Sequence, residues 1–301
     1  MTETKKPMAE ANRISSVLNT VIGTERFPVK VDEVAIEYSR QCFADSLIDK
    51  VQGEDLDGFD GMLKANKTRS KWLILYNSAN SSEGRKRFTI AHEFGHYILH
   101  RHQQHQFECG DLETGGHSER NIETEADLFA STLLMPLDDF RRQVDGQPIS
   151  FDQLGYCADR YGVSLTAAAL RWIEIAPERA VLIASRDDYM LWAKSNVAAL
   201  KSGAYFATRR NTIELPRDAL AHIHNVFDIA DSRTGRAQSW FSREPSSMPV
   251  TEMARSAGQY DYTLTLLLMP DAEWQRPQHD DEETEEDTFD RFVRNGQYPV
   301  R

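Results

Sequence analysis

Two histidines and a glutamate of this chain stand at a spacing that suits metal chemistry. They are His92, Glu93 and His96, in the stretch RFTIAHEFGHYILH from Arg87 to His100, which carries the pattern H-E-x-x-H. On an α-helix of 3.6 residues per turn, positions four apart lie one turn apart on one face, so both imidazoles can reach a single ion. Glu93 projects about 100° round from His92, within reach of a water on that ion. Such a set can perform zinc-assisted hydrolysis of a peptide bond. Zinc lowers the pKa of its water from ~15.7 towards ~7, and the glutamate accepts the proton. The competing reading is a solvated polar stripe on an ordinary helix.

The elements that must position these groups can be read from the flanking residues. Ile90, Ala91, Phe94, Tyr97 and Ile98 fall on the opposite arc of the same helix and should pack it on a core. Tyr97 therefore belongs to packing, while Phe88 and Leu99 fall near the histidines and would wall the site. Gly95 lowers helix propensity, which points to close approach of a neighbouring backbone.

Catalytic zinc usually takes three protein ligands. His102, ten residues after His92, fits the longer pattern H-E-x-x-H-x-x-G-x-x-H, but Leu99 stands where that pattern needs its turn-forming glycine. On an unbroken helix His102 lies roughly 15 Å along the axis from His92, out of reach of the same ion. His100, His102 and His105 then read as a polar helix end near the negative pole. A second helical stretch, RNIETEADLFASTLLMP, offers an alternative. Ala126, Phe129, Ala130, Leu133 and Leu134 share an arc with Glu123, whereas Glu125 lies beside it and Thr124 opposite. A carboxylate aimed at a core is costly unless paired or bound to metal, so Glu123 is preferred over His102 as third ligand. Asp127, one turn on, could accept the other N–H of a ligand histidine. Here the competing reading is a solvated helix start before Pro136.

WLILYN, RFTIAHEFGHYILH and ETEADLFASTLLMP, taken in this order, resemble the ImmA/IrrE family of metallopeptidases over roughly residues 30 to 200. The resemblance implies a zincin-like fold, one Zn²⁺ held by His92, His96 and Glu123, and Glu93 as catalytic glutamate. It also implies that the strand beside the motif helix holds substrate in extended form. The departure from the family is a long polar insert, residues 101 to 119, which bears on the rim of the site.

Composition bounds the rest. At 301 residues, 40% hydrophobic and 27% charged, the chain can hold two domains with a substantial core. There is no run of eighteen apolar residues and no apolar h-region after MTETKKPMAEANR, so neither a membrane span nor a secretory signal is expected. Cys42, Cys109 and Cys157 are scattered and odd in number, which suits free thiols in the cytoplasm. The net charge of −12 is uneven, with eight acidic residues and no base between Asp280 and Asp290. That block reads as a disordered, solubilising tail, or else as a contact for a basic partner or a strand-mimic over the cleft.

The expected fold is α+β. Residues 1–29 form an N-terminal extension and 30–147 a zincin-like metallopeptidase domain. A helix-turn-helix-like segment follows at 148–178, then a small mixed α/β, sensor-like domain at 179–272 and an acidic tail at 273–301. Two amphipathic helices are expected between Asn12 and Ser46, and a strand at Lys71–Tyr76. In the helix-turn-helix-like segment, Gly162 suits the turn and Ser164 the cap. Over residues 151 to 179, Arg160, Arg171 and Arg179 stand against Asp152, Asp159, Glu174 and Glu178, a net −1 that argues against direct contact with DNA. Further on, AVLIAS, YMLWAKS and YTLTLLLMP read as strands and RDALAHIHNVF as a helix, with His222 and His224 structural. The resemblance implies a protein substrate, a helix-turn-helix transcriptional repressor cleaved under stress or during mobile-element induction. A non-proteolytic regulator and a toxin–antitoxin partner are the alternatives.

Overall fold

The computed structural model describes residues 6–56, 59–80, 82–110, 117–146, 148–222, 231–257 and 261–272. Contacts divide these into two units, one holding the residues up to Gln143 together with Cys157–Ser164, the other Val144–Tyr156 and the residues from Leu165. The described residues form eight α-helices and two sheets, a mixed α+β chain.

The first unit opens with helices α1 (Pro7–Val21) and α2 (Val31–Cys42). Strands β1 (Leu47–Glu54), β2 (Phe59–Ala65) and β3 (Lys71–Asn77) follow, then the motif helix α3 (Glu83–His100). Strand β4 (Gln106–Gly110) and helices α4 (His117–Leu134) and α5 (Leu137–Val144) complete the series. The sheet runs β1-β3-β2-β4, with β1 parallel to β3 and the other pairs antiparallel. Residues alternate across it: Ile48, Leu63, Trp72 and Ile74 point inward and are fully buried with Phe94, Tyr97 and Ile98 of α3.

Two features of α3 fix its place. Ser82 caps its start by accepting a hydrogen bond from the Arg85 amide at 3.3 Å. Arg101 closes its end, donating to the carbonyls of Tyr97 and Ile98 while lying 3.8 Å over the Phe43 ring. Tyr97 packs among Phe43, Phe94 and Trp72 and donates its hydroxyl to the Ser46 carbonyl at 2.6 Å, the packing role expected of it. α3 lies against α4, and α1 packs on both of them.

Helix α6 (Phe151–Tyr161) and helix α7 (Leu165–Ile173) follow in the chain, with Gly162 between them at φ +61°. The three arginines of residues 151 to 179 are all engaged. Arg160 pairs with Asp139, the buried Arg171 with Glu174, and the buried Arg179 with Glu244.

The second unit carries strands β5 (Arg179–Arg186) and β6 (Tyr189–Ser195), a short helix α8 (Val197–Lys201), and strands β7 (Asp231–Arg236), β8 (Pro249–Ser256) and β9 (Thr263–Met269). They make an antiparallel sheet in the order β6-β5-β9-β8-β7. Asp187 and Asp188, both at positive φ, turn β5 into β6, as a tight hairpin requires. The three strands expected from the apolar runs are β5, β6 and β9; β7 and β8 had no such signal. Of the helix expected at RDALAHIHNVF, the described residues form only a 3₁₀ turn, Leu220–His222, and 223–230 lie outside the described residues. His222, read as structural, contacts Asp188 at 2.9 Å and the Pro216 carbonyl at 3.0 Å. His224, the Cys109 side chain and the acidic stretch also lie outside the described residues. Cys42 is exposed and Cys157 buried, both as free thiols.

Candidate metal centre

The middle of α3 is buried on every side. From Thr89 to Ile98 no residue exceeds one tenth exposure, and His92 and Glu93 stand at 0%. The expected polar arc is therefore no surface stripe. One arc packs on the sheet core, and the arc with the histidines is covered by α4, β2 and β4.

Each covering element contributes a specific contact. Gly95 lets α4 approach: a Cβ there would stand 3.2 Å from both Cα and carbonyl O of Ala126 and 3.1 Å from Phe129. Gly61 does the same for β2, since a Cβ there would come within 3.0 Å of Glu93 Oε1. Phe107 of β4 stacks on His96, ring centroids 4.7 Å apart and planes 20° from parallel. Phe88 stands 6.4 Å from the His92 ring, near the histidines as expected.

Glu123 projects from α4 towards the pair, with Ala126, Phe129, Ala130, Leu133 and Leu134 of the same helix fully buried. Its Oε2 lies 3.1 Å from His92 Nε2 and its Oε1 3.2 Å from His96 Nε2, while the two Nε2 atoms are 3.0 Å apart. These three residues form the one group suited to a metal among the described residues. His102 lies outside it, exposed beyond the end of α3.

The outer nitrogens are held as well. His92 Nδ1 is 2.8 Å from Asp127 Oδ1, the contact the helix spacing suggested. His96 Nδ1 is 3.1 Å from His100 Nδ1, and His100 Nε2 is 2.9 Å from Glu125 Oε2. His100, expected at a polar helix end, is instead 1% exposed. The sequence placed His100 at a polar helix end and Glu125 beside the apolar arc, and joined neither to the site. The signal was there: His100 continues the His92–His96 spacing by one more turn.

Burial and charge set the protonation of the group. Burial pushes His96 down to about 4 and lowers His100, so both rings are neutral at pH 7. Burial pushes the Glu93 carboxyl up to about 8, and neither of its oxygens has a hydrogen-bond partner. Burial would also raise Glu123, but hydrogen bonds with His92 and His96 outweigh it and hold Glu123 far below the usual carboxylate range.

The donor set fits a cation. If Asp127 holds the proton of His92 on Nδ1, its Nε2 offers a lone pair inward, and a neutral His96 can do the same. A cation among these atoms would take the place of the hydrogens that otherwise join the two rings to Glu123. Tetrahedral zinc, with bonds of about 2.0–2.2 Å to nitrogen and oxygen, takes this set of ligands. The orphaned buried carboxyl of Glu93 stands beside it.

An α+β domain with two imidazoles and a carboxylate converging from packed helices is the class that fold and site define. Residues 45–172, which carry His92, Glu93, His96 and Glu123, match the peptidase family model described as the IrrE N-terminal-like domain. A solved structure described as a Mycobacterium tuberculosis transcriptional regulator is similar in fold, with a TM-score of 0.52 at 14% identity, covering 87% of this chain and 76% of that one. No curated protein matches the chain.

One expectation attached to the family resemblance needs correction. The strand Lys71–Tyr76 was to hold substrate through its backbone, but β3 is paired on both sides, with β1 and with β2. Its N–H and C=O groups are spent within the sheet. Among the described residues the strand with an unpaired side next to the histidines is β4, which lies in the segment read as an insert.

No described helix is long and apolar enough to cross a membrane.

Proposed function

We propose that this protein is a zinc-dependent, site-specific endopeptidase whose substrate is a helix-turn-helix transcriptional repressor. The observation that carries the catalytic part is the convergence of His92, His96 and Glu123 beside the buried Glu93. The match of residues 45–172 to a peptidase family model supports it. The similar solved structure is described as a transcriptional regulator, which is compatible with a regulatory task.

His92 and His96 would hold Zn²⁺ through Nε2 and Glu123 through its carboxylate. When bound, zinc supplies Lewis acidity towards the scissile carbonyl and brings the pKa of a water near 7. Glu93 would be the group that takes up a proton from the attacking water and returns it to the leaving amine nitrogen. Burial raises the affinity of Glu93 for a proton, which suits it to hold one and give it up in turn. Phe107 and Phe88 keep bulk water from the imidazoles, strengthening every charge interaction inside.

The rival reading, a non-proteolytic protein- or DNA-binding module, leaves a buried and unpartnered Glu93 without a task. Pairing of Arg160, Arg171 and Arg179 with carboxylates speaks against phosphate contacts by the helical pair. The deciding experiment is co-expression with a candidate repressor encoded nearby. Wild type should cleave it, and Glu93→Gln should retain zinc and leave it whole. Equal cleavage by the two proteins would refute the assignment of Glu93.

A further inference from the structure

We propose that Asp60 of β2 and Arg85 of α3 are positioning residues that press the Gly61 backbone against Glu93 and so hold its carboxyl in place. The inference rests on the reading of Glu93 as the base and adds two residues outside the donor set.

The register of β2 carries the first part. Phe59 pairs with Gly110 of β4 and Gly61 with Cys109, so two steps along β2 answer one step along β4. Asp60 is the extra residue of a β-bulge. In an unbroken strand, neighbouring residues point to opposite faces of the sheet. Here Asp60 and Gly61 both meet α3. Asp60 Oδ2 accepts a hydrogen bond from Arg85 Nη2, and a Cβ on Gly61 would stand 2.4 Å from Thr89 Cγ2 and 3.0 Å from Glu93 Oε1. The bulge lets two consecutive residues address one helix.

The helix supplies the second part. Arg85, Thr89 and Glu93 follow one another at four-residue spacing and lie along one stripe of α3. Thr89 and Glu93 are buried, and the Arg85 and Asp60 side chains are 19% and 22% exposed. Solvent screens a pair this far shielded less than it screens a pair on the open surface. The Arg85 amide is itself held by the Ser82 cap, so the guanidinium projects from a fixed turn.

Glu93 needs such a wall. Neither of its oxygens has a hydrogen-bond partner among the described residues, so packing alone selects where the carboxyl points. Misplacing a reacting group by about 1 Å can cost about 100-fold in rate. With Asp60 released from Arg85, the bulge is free to shift along β2, drawing Gly61 off and leaving Glu93 room to turn.

Nuclear Overhauser spectra of the full-length, metal-free chain test this. One α-proton of Gly61 points where a Cβ would. In wild type it should show cross-peaks to the Thr89 γ-methyl and to the Glu93 γ-methylene, whose carbon lies 3.3 Å from that Cβ position. Asp60→Asn keeps the shape and removes the charge, and both cross-peaks should be lost. Asp60→Glu keeps the charge and should retain them, whereas a role in packing alone would favour Asn over Glu. In the zinc-loaded proteins, Asp60→Asn should cleave the candidate repressor up to about 100-fold more slowly, with zinc content unchanged. Cross-peaks that persist in Asp60→Asn overturn the proposal, as do equal losses in Asp60→Asn and Asp60→Glu. Loss of the cross-peaks with cleavage at the wild-type rate overturns it as well. Should Asp60→Asn fail to fold, Arg85→Gln removes the other charge and is read in the same two cross-peaks. A wild type that neither binds zinc nor cleaves refutes the metallopeptidase reading, and the same spectra still decide whether Asp60 and Arg85 hold Gly61 against Glu93.

Discussion

Gly95 of α3 and Ala126 of α4 are nearly in backbone contact: a Cβ on Gly95 would meet both the Cα and the carbonyl oxygen of Ala126 at 3.2 Å. Ala126 sits one helical turn from Glu123, so this approach sets how far the carboxylate reaches towards the histidines. Gly95→Ala should push the helices apart by a few tenths of an ångström, since backbone cannot swing aside as a side-chain tip can. The expected cost is about 1–3 kcal/mol of stability, with weaker zinc binding. Thermal melts and a metal titration check it; an unchanged affinity would show that Glu123 does not depend on this contact.

Gly61 governs the other side of the site. A Cβ there would fall 2.4 Å from Thr89 Cγ2 and 3.0 Å from Glu93 Oε1. Gly61→Ala should therefore displace Glu93 while leaving the three donors in place. Peptide cleavage should drop sharply with zinc content close to wild type, the reverse of the Gly95→Ala pattern. Activity and metal content measured on one preparation separate the two.

Glu123→Ala should lower zinc content far more than His102→Ala. Glu123 closes the donor set, while His102 is exposed and offers its carbonyl to Arg69. Elemental analysis of the purified proteins is sufficient. A greater loss in His102→Ala would reinstate the histidine-only site.

Asp139 supplies a pH prediction away from the metal. Burial alone would raise its pKa, but hydrogen bonds from Arg160, Tyr161 and Arg142 outweigh it and hold the carboxyl below its ordinary value. A depressed pKa in the folded state means stabilisation that is present above the unfolded value of about 3.9 and lost as pH falls through the folded one. Asp139→Asn should cost on the order of 2 kcal/mol at neutral pH. The difference from wild type should shrink steadily below about pH 4. Denaturant titrations at several pH values would expose a constant difference, which would rule out an ionic role.

Much of the site was legible because helical spacing is a local property. His92 and His96 share a face by arithmetic, and Glu123 is marked by lying on an arc that is otherwise apolar. What stayed hidden came from distant parts of the chain. Nothing local says that β2 and β4 cover the polar arc of α3, so His100 read as part of a polar helix end when it is buried. QFECG of β4 is short and lacks clean alternation, and its partner β2 lies more than forty residues earlier in the chain. DSRTGR and PVTEMARS are too polar to announce β7 and β8, which are held by pairing to one another and, for β8, to the apolar β9. Lys71–Asn77 was visible as a strand, but sheet order is long-range information, and its interior place was not.

The three donors come from two helices separated in sequence by β4, and this ties occupancy of the centre to the integrity of the unit. An ion held by His92, His96 and Glu123 closes a loop between α3 and α4. In the unfolded chain those residues have no reason to meet. Every increment of binding free energy is then an increment of folding free energy: free zinc at a thousand times its dissociation constant would add about 4 kcal/mol. Metal supply would thus act as a thermostat on α4 docking, and chelation would loosen the helix pair as well as silence the chemistry.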